Sequence, residues 1–571
     1  MGKYSCEKNV QILIAVMKAN NIRKVVISPG TTNISFIMSL VNDGSFELYS
    51  AVDERGAAYI AVGLSSESGE GVAITCTGAT ASRNYFPGLS EAYHRKLPIL
   101  AVTASQDFTR NGNLSPQFID RTCQPVDSVK MSVQIPIVRS DADEYDATIK
   151  INKAVLEMFR HGGGPCHINL ASSYSNDFNT DDLSWVRTLK RFTYGDKLPE
   201  LPKGRIAIIV GNHKQWSKEL TESVDRFCAS HDSVVIVDHS SHYWGKYRVL
   251  PTISATQEGH NSSLFETDLL IHIGQEHGDY YTDGPIRKTK EVWRISEDGE
   301  IADTYGKLTN TFEMREIDFF NHYGEDNQDK HSYYDKWIAE TKELYSLIPE
   351  LPFSNIWIAQ HVIPKFPSDA MLEIGVSNTM RSWTFFDFKE ETYTLANTGC
   401  RGIDGAIPTA LGMSLVNPHR AHYAVMGDLT FFYSFNVLGN RHVSKNLRIM
   451  LINNECGVEF NIYPHRAYQN YNGDSGKINE YIAAGGHTGT KKGLVKHYAE
   501  DLGFTYLSAS NKEEFNANID TFLQTESDKP MLFEVFTDIK LENEALKMIR
   551  TIKTDTKTMA KNVIKKMIGR Y

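Results

Sequence analysis

The chain has 571 residues, a formal net charge of −10 and a pI near 6.0. Its length is too great for one hydrophobic core, so about three or four domains are expected, and its acidic balance argues against a general nucleic-acid binder. The seven cysteines are scattered without a Cys-x-x-Cys pair, no signal peptide is expected, and no apolar run approaches the roughly 20 residues of a membrane span. These features predict a cytoplasmic enzyme.

Strand-like apolar runs alternate with helical patterns in three sets. The first set contains "KVVISPG", "GVAITCTG", "LPILAVTAS" and "GPCHINLA", and a turn-rich linker over Arg191–Arg205 separates it from the second, "RIAIIVG", "DSVVIVDHS", "TDLLIHIG" and "EVWRIS". A polar stretch over Tyr323–Lys336 and a proline-bearing one over Leu347–Ser354 precede the third, "DAMLEIGVS", "TYTLAN", "HYAVMGDL", "LRIMLINN", "GFTYLSA" and "PMLFEVFTD". This alternation predicts an α/β protein with three doubly wound parallel-sheet domains.

The first and third sets also resemble each other. Each has a strand that ends in a tight glycine turn and a later strand that ends in glycine before a helix. This pattern suggests two related domains on either side of a different one, although glycine is common at strand ends.

In the third set, "HYAVMGDL" and "LRIMLINN" are predicted strands of one βαβ unit. Asp428 and Asn454 follow these strands, so they are expected side by side at the same sheet edge. A carboxylate and an amide oxygen next to a helix N-terminus suit a magnesium diphosphate, with the Cys456 carbonyl as a third ligand. The alternative is that both residues only cap helices or turns.

Two further motifs are ambiguous when each is taken alone. In "AVDERGAAYIAVGLS", Glu54 is either functional or an exposed acid that the helix dipole favours. In "NTGCRGIDGAIPTALGMSL", glycines allow a close-approach turn around Ile403, or they form a loop without a ligand.

Together, "DERG", "RGIDG" and "GDL…NN" resemble the thiamine-diphosphate-dependent decarboxylase and carboligase superfamily. Within it they are most similar to the 2-succinyl-5-enolpyruvyl-6-hydroxy-3-cyclohexene-1-carboxylate (SEPHCHC) synthases of menaquinone biosynthesis. The resemblance implies a pyrimidine-binding domain over residues 1–190, a central domain over 200–345 and a diphosphate-binding domain over 350–540. A C-terminal helical tail over 541–571 follows, which is expected to pack along the domain or at a subunit interface.

The resemblance also implies thiamine diphosphate and Mg²⁺ as cofactors and a role for each matching residue. The implied metal ligands are Asp428, Asn454 and the Cys456 carbonyl. Glu54 is the implied proton-transfer residue at the aminopyrimidine ring, and Ile403 the residue that keeps the cofactor bent. Further implied cofactor contacts are Asn84, Gly427, Leu429, Thr430 and Val458.

The substrate residues match the family only in part. Gln117, Ser377 and Arg381 are kept, and Arg381 suits an anionic 2-oxo acid donor such as 2-oxoglutarate unless it forms a structural salt bridge. The family's other cations are missing: Thr31-Thr32, Ser105-Gln106-Asp107 and Thr398 stand in their places, and "GQEHGDYYTDG" lacks a Lys-Arg pair. Neutral residues cannot replace bidentate cations. Other candidate acceptor contacts are Arg401, Glu459, Tyr463, His465, Arg466 and His487.

We therefore predict a 2-oxo acid decarboxylase and carboligase, a transferase or lyase, with a small-molecule acceptor other than isochorismate. The alternatives are a non-ligating decarboxylase of the phosphonopyruvate or sulfopyruvate type, a true SEPHCHC synthase, and a non-catalytic binding paralogue. The resemblance implies a homodimer or homotetramer with shared active sites. No nucleic-acid partner and no transmembrane segment are expected.

Overall fold

The computed structural model describes residues 2–388 and 392–553. The chain divides into two compact units. The first contains the residues up to Lys197 together with Gly299–Thr311, and the second contains Leu198–Asp298 and the chain from Phe312 onward.

In chain order, the strands are β1 (Lys24–Ile27), β2 (Glu47–Ser50), β3 (Val72–Thr77), β4 (Ile99–Ser105), β5 (Met131–Ile135), β6 (Cys166–Ala171), β7 (Lys190–Thr193), β8 (Ile206–Val210), β9 (Val234–Ile236), β10 (Arg248–Val249), β11 (Leu269–Ile273), β12 (Glu291–Ser296), β13 (Leu308–Glu313), β14 (Met371–Ile374), β15 (Tyr393–Leu395), β16 (His422–Gly427), β17 (Leu447–Asn453), β18 (Thr505–Ala509) and β19 (Met531–Phe536).

The α-helices are α1 (Lys8–Ala19), α2 (Ile34–Asp43), α3 (Glu54–Ser68), α4 (Thr80–Asn84), α5 (Phe86–His94), α6 (Asp141–Phe159), α7 (Lys218–His231), α8 (Thr252–Ala255), α9 (Asp283–Ile286), α10 (Glu316–Tyr323), α11 (Ser332–Ser346), α12 (Asn355–Val362), α13 (Asn378–Trp383), α14 (Ala406–Val416), α15 (Asp428–Ser434), α16 (Arg466–Asn470), α17 (Ser475–Tyr481), α18 (Leu494–Asp501), α19 (Lys512–Phe522) and α20 (Ile539–Arg550). None of those in the described ranges has the length and apolarity to cross a membrane.

The first unit contains a parallel sheet, the N sheet, in the order β2-β1-β3-β4-β6-β5. The second unit contains the C sheet, in the order β15-β14-β16-β17-β19-β18. Counted within each sheet, both have the same strand order, which agrees with the resemblance between the first and third strand sets. The predicted α/β class with doubly wound parallel sheets is confirmed.

The second unit also contains a central sheet in the order β10-β9-β8-β11-β12, all parallel. In the first unit, β7 and β13 are neighbouring strands. The predicted linker over Arg191–Arg205 was therefore wrong at its start, since β7 continues to Thr193. Three of its four residues are polar and the strand is half-exposed, so it does not give the apolar run that marks a buried strand.

Alternate residues of the C-sheet strands belong to two separate apolar cores, one on each face of the sheet. Leu372, Ile374 and Ile452 belong to one core, while Ala424 and Leu451 belong to the core on the other face. A parallel sheet that helices cover on both faces needs apolar residues at nearly every position, which explains why the central strands could be recognised as continuous apolar runs.

Three local predictions need correction. The helix expected after β16 is α-helical only to Ser434 and continues as a 3₁₀ turn over Phe435–Gly439. The last five residues of the predicted polar linker over Tyr323–Lys336 are helical, because α11 begins at Ser332. The predicted tail helix begins at Ile539 and packs Ala545 and Ile549 into the C-sheet core, while residues 554–571 of that prediction lie outside the described residues.

Candidate functional site

The β16–α15–β17 unit brings the predicted metal ligands to one sheet edge. The two strands are parallel, with Gly427 in register with Ile452, so Asp428 and Asn454 follow neighbouring strand ends. Asp428 is the first residue of α15, and Gly427 is its N-cap in an extended conformation. The next two residues of α15 are the predicted diphosphate contacts Leu429 and Thr430, so their backbone N–H groups belong to the helix's first turn.

The Asp428 carboxyl group is buried and only partly satisfied. Its side chain is 2 % exposed, and Oδ1 accepts a hydrogen bond from the Leu429 backbone N–H at 2.7 Å. Oδ2 is buried without a hydrogen-bond partner among the described residues. Burial raises the pKa of Asp428 to about 7, against the opposing effect of backbone N–H groups at Leu429, Glu455, Asn454 and Cys456. A buried carboxylate with an unused oxygen fits a hard divalent cation, which would satisfy it.

The turn after β17 places Asn454 and Cys456 next to this carboxylate. Both residues are buried, and Glu455 between them has the left-handed φ of 65°. The Cys456 carbonyl accepts the Val458 N–H at 2.9 Å, so this N–H is already engaged, while the carbonyl keeps a second lone pair for a metal. Burial raises the pKa of the Cys456 thiol to about 12, which favours the carbonyl rather than a thiolate as the metal ligand.

Gly489 lies close to the Asp428 carboxylate. No motif in the sequence indicates this residue. A Cβ atom at position 489 would lie 3.2 Å from Asp428 Oδ2 and 3.4 Å from Asn453 Oδ1. The Asn453 amide donates to the Gly489 carbonyl at 3.2 Å and to Glu534 Oε1 at 2.8 Å, which fixes this loop. A side chain at position 489 would therefore crowd the Asp428 oxygen that has no hydrogen-bond partner among the described residues.

In the first unit, the local geometry brings Glu54 and Asn84 together. Asp53 caps α3 by accepting the Arg55 and Gly56 N–H groups, so Glu54 begins the helix. Asn84 Nδ2, at the end of α4, donates to Glu54 Oε2 at 2.9 Å. Gln117, also predicted for the site, lies exposed in the loop between β4 and β5 with a left-handed φ of 67°.

Ser377 and Arg381 lie at the carboxyl edge of the C sheet. Ser377 has an unusual φ of 73° as the N-cap of α13. Arg381 Nη2 forms an ion pair with Glu459 Oε1 at 3.0 Å, so the salt bridge considered from the sequence is present. Arg381 Nε is buried without a partner among the described residues. Ile403 packs, partly buried, against the apolar core that contains Met380.

The other residues predicted to contact the acceptor have different structural roles. Tyr463 donates to Glu258 at 2.5 Å, His465 caps α16, and Arg466 and His487 are exposed. Arg401 is exposed and contacts Tyr280, a residue that sequence reasoning did not select.

Two family models match the chain: the N-terminal domain of thiamine pyrophosphate enzymes over residues 8–130, and the C-terminal domain over residues 374–535. The chain belongs to the thiamine pyrophosphate enzyme family. It is 30% identical to the 2-succinyl-5-enolpyruvyl-6-hydroxy-3-cyclohexene-1-carboxylate synthase of Phocaeicola vulgatus, over 95% of this chain and 98% of that protein. The synthases with the same name from Bacteroides fragilis and Flavobacterium psychrophilum are 29% and 25% identical, over 95% and 94% of this chain and 98% and 97% of theirs.

Proposed function

We propose that this thiamine-diphosphate-dependent enzyme requires Mg²⁺, decarboxylates an anionic 2-oxo acid such as 2-oxoglutarate, and joins the product to an acceptor other than isochorismate. When bound, thiamine diphosphate supplies the carbanion chemistry that this reaction needs. The observation that carries the proposal is the combination of a retained Arg381 with neutral residues where the SEPHCHC family has further cations.

The C sheet would hold the magnesium diphosphate. Asp428, Asn454 and the Cys456 carbonyl would bind the metal, which is supported by the unused Asp428 Oδ2. The N–H groups in the first turn of α15 would cradle the diphosphate, since a helix N-terminus favours anions. Val458 N–H would have to leave the Cys456 carbonyl to take part in this cradle.

Glu54 would move a proton at the aminopyrimidine ring. Asn84 supports this role, because its amide donates to Oε2 and so orients the carboxyl group. Ile403 would keep the two cofactor rings bent towards each other. Gln117 would contact substrate from the first unit.

Arg381 and Ser377 would bind the distal carboxylate of the donor. Glu459 already balances part of the Arg381 charge, and the unpartnered Nε retains hydrogen-bonding capacity. A guanidinium binds a carboxylate through two parallel hydrogen bonds, which favours a dicarboxylic 2-oxo acid over pyruvate.

The acceptor differs because none of the substituted positions carries a positive charge, and two of them make internal hydrogen bonds. Thr32 donates to the Ala104 carbonyl, and Thr398 accepts from the Asn212 amide at 2.8 Å. Each cation that is missing from the site of a bound carboxylate weakens binding by roughly 1.5–3 kcal/mol. The names of the relatives favour the second candidate, SEPHCHC synthesis itself.

A donor screen followed by an acceptor screen tests the proposal. Carbon dioxide release is measured with 2-oxoglutarate, pyruvate, phosphonopyruvate and sulfopyruvate, and products are then analysed with isochorismate and other acceptors. We expect 2-oxoglutarate to be the best donor and isochorismate a poor acceptor. Efficient turnover of isochorismate would instead establish the second candidate, and carbon dioxide release without any ligated product would indicate a simple decarboxylase.

A further inference from the structure

Two arginines of the C-sheet edge contact one aromatic ring. The guanidinium carbons of Arg381 and Arg401 each lie 4.4 Å from the centroid of the Tyr280 ring. Arg381 belongs to α13, which follows β14, and Arg401 lies in the loop between β15 and α14. Tyr280 lies in the loop after β11 of the central sheet, and all three residues belong to the second unit.

The loop that carries Tyr280 is held in place by hydrogen bonds and close packing. The buried Asp238 carboxylate accepts the N–H groups of Gly278 and Asp279, and Asp279 Oδ1 accepts the Tyr281 N–H at 2.8 Å. A Cβ atom at Gly278 would lie 2.7 Å from Met380 Cε and 3.3 Å from Thr398 Cγ2. The backbone of this loop therefore packs closely against α13 and Thr398, two residues before Tyr280.

The Arg401 guanidinium keeps most of its hydrogen-bonding capacity. Its Nη2 donates to the His277 carbonyl at 3.3 Å, and it forms no ion pair with any residue in the described ranges. Burial raises the pKa of Asp283, and the positive charge of Arg401 is one of the effects that oppose this rise. The charge on Arg401 is therefore not held in an ion pair within the described part of the chain.

An arginine that lies against an aromatic ring is well suited to bind a carboxylate. The stacking restrains the guanidinium and leaves its in-plane N–H groups free, so two oxygens of one anion can be bound together. The ring that contacts Arg401 also contacts Arg381, the residue proposed for the donor. Arg401 also precedes Ile403 by two positions, in the loop proposed to contact the cofactor.

We propose that Arg401, positioned by Tyr280, binds a carboxylate of the acceptor and so selects anionic acceptors. This inference rests on the proposed function, because it assigns the acceptor side of the same site. The family has a cation where this chain has Thr398. Arg401 would supply a positive charge from a different position in the same loop. The acceptor class is then a small carbonyl compound with a carboxylate.

The first test measures binding without a reaction. Succinate has two carboxylates and no reactive carbonyl group, so its affinity for the holoenzyme can be measured by calorimetry. We expect Arg401→Gln to weaken succinate binding at least about tenfold, while the exposed control Arg441→Gln leaves it unchanged. Equal affinities of wild type and Arg401→Gln, or no succinate binding by wild type, would overturn the inference.

The second test compares a charged and a neutral acceptor, glyoxylate and acetaldehyde, with 2-oxoglutarate as donor. The kcat/KM for glyoxylate divided by that for acetaldehyde should fall at least about tenfold in Arg401→Gln and in Tyr280→Leu. It should not fall in Tyr280→Phe, which keeps the ring. An unchanged ratio in Arg401→Gln would overturn the inference even if carbon dioxide release supports the proposed function. If no 2-oxo acid releases carbon dioxide, or neither aldehyde reacts, the succinate titration alone decides.

Discussion

Glu54 begins helix α3, and its side chain accepts a hydrogen bond from Asn84. If Glu54 exchanges a proton with the cofactor ring, Glu54→Gln should bind thiamine diphosphate within about tenfold of wild type but lose C2 proton exchange. The amide keeps the shape of the side chain and cannot cycle the proton. The assay is deuterium exchange at C2, followed by NMR. Wild-type exchange in this variant would contradict the assignment, and Glu67→Gln, on the exposed end of α3, serves as the control.

The prediction of a metal site depends on Asp428, because its Oδ2 has no hydrogen-bond partner among the described residues. Asp428→Ala should abolish saturable Mg²⁺-dependent binding of thiamine diphosphate, since the diphosphate charge is then left uncompensated. Calorimetric titration with and without a chelator measures this loss. The exposed control Asp501→Ala should bind as wild type does, and undiminished binding by Asp428→Ala would mean that the metal lies elsewhere.

Sequence reasoning reached these residues because each follows the end of a strand or begins a helix, where side chains converge in a parallel sheet. Sequence reasoning did not identify Gly489 or Tyr280. Gly489 matters through its distance from Asp428, and Tyr280 through its contacts with Arg381 and Arg401, residues about a hundred positions away. No local pattern encodes such contacts, because they depend on how loops from separate strands meet. The roles of Glu54, Asp428 and Asn454 remain predictions.

At the scale of elements, α3 packs against α5 without space for an added methyl group. A Cβ atom at Gly88 would lie 2.5 Å from Ala58 Cβ and 3.0 Å from the Ala58 backbone carbon. We expect Gly88→Ala to destabilise the protein by about 1–3 kcal/mol, because backbone atoms cannot move aside cheaply. Urea unfolding measures the change in free energy.

Gly63, in α3 itself, provides the matched control for this prediction. A Cβ atom there meets no heavy atom within 4 Å. Gly63→Ala should therefore stabilise the protein by about 0.5–1 kcal/mol, as alanine is favoured over glycine in a helix. If both variants have equal stability, the close helix contact is not a packing constraint.

Helix α20 contributes a buried acid to the C-sheet core. Glu542 is 3 % exposed, accepts the Asn355 N–H at 3.0 Å, and has its pKa raised by burial to about 7. Between pH 4.5, the pKa of Glu542 in the unfolded chain, and about pH 7, the folded state keeps a proton that the unfolded state releases. The free energy of unfolding therefore falls as the pH rises through this range.

Glu542→Gln should remove this dependence. The variant should be more stable than wild type at pH 8 by about 2–3 kcal/mol, and the difference should shrink towards pH 5. Unfolding midpoints at several pH values provide the measurement, with the exposed Glu544→Gln as control. A pH-independent difference would show that Glu542 is not protonated in the fold.

The clearest strand signals come from strands that are buried on both faces, although the half-exposed β18 was also predicted, from "GFTYLSA". β4 and β17 are buried at every position, so an apolar run marks each of them. β2 and β7 are half-exposed and carry polar residues, and neither was recognised. Their strand conformation depends on pairing with a neighbour that is distant in sequence, which composition does not reveal.

At the scale of the whole molecule, Glu54 belongs to one compact unit and Asp428 to the other. The resemblance implies that one subunit supplies the pyrimidine side and another the diphosphate side of each site. Co-expressed Glu54→Gln and Asp428→Ala subunits should then form mixed dimers with about half of the wild-type activity, because one site has neither change. Differently tagged subunits and ultracentrifugation establish that the mixed dimers form. If purified mixed dimers regain no activity, the sites are not shared.

The segments that carry Arg381, Arg401 and Asp428 follow three different strands of the C sheet. A substitution in one of these segments leaves the strand that supports another segment intact. Lineages with this fold can therefore change their substrate contacts in one segment at a time while the contacts to the cofactor stay the same. Inherited similarity over the full chain then records the history of the cofactor site more faithfully than the identity of the metabolite that is made.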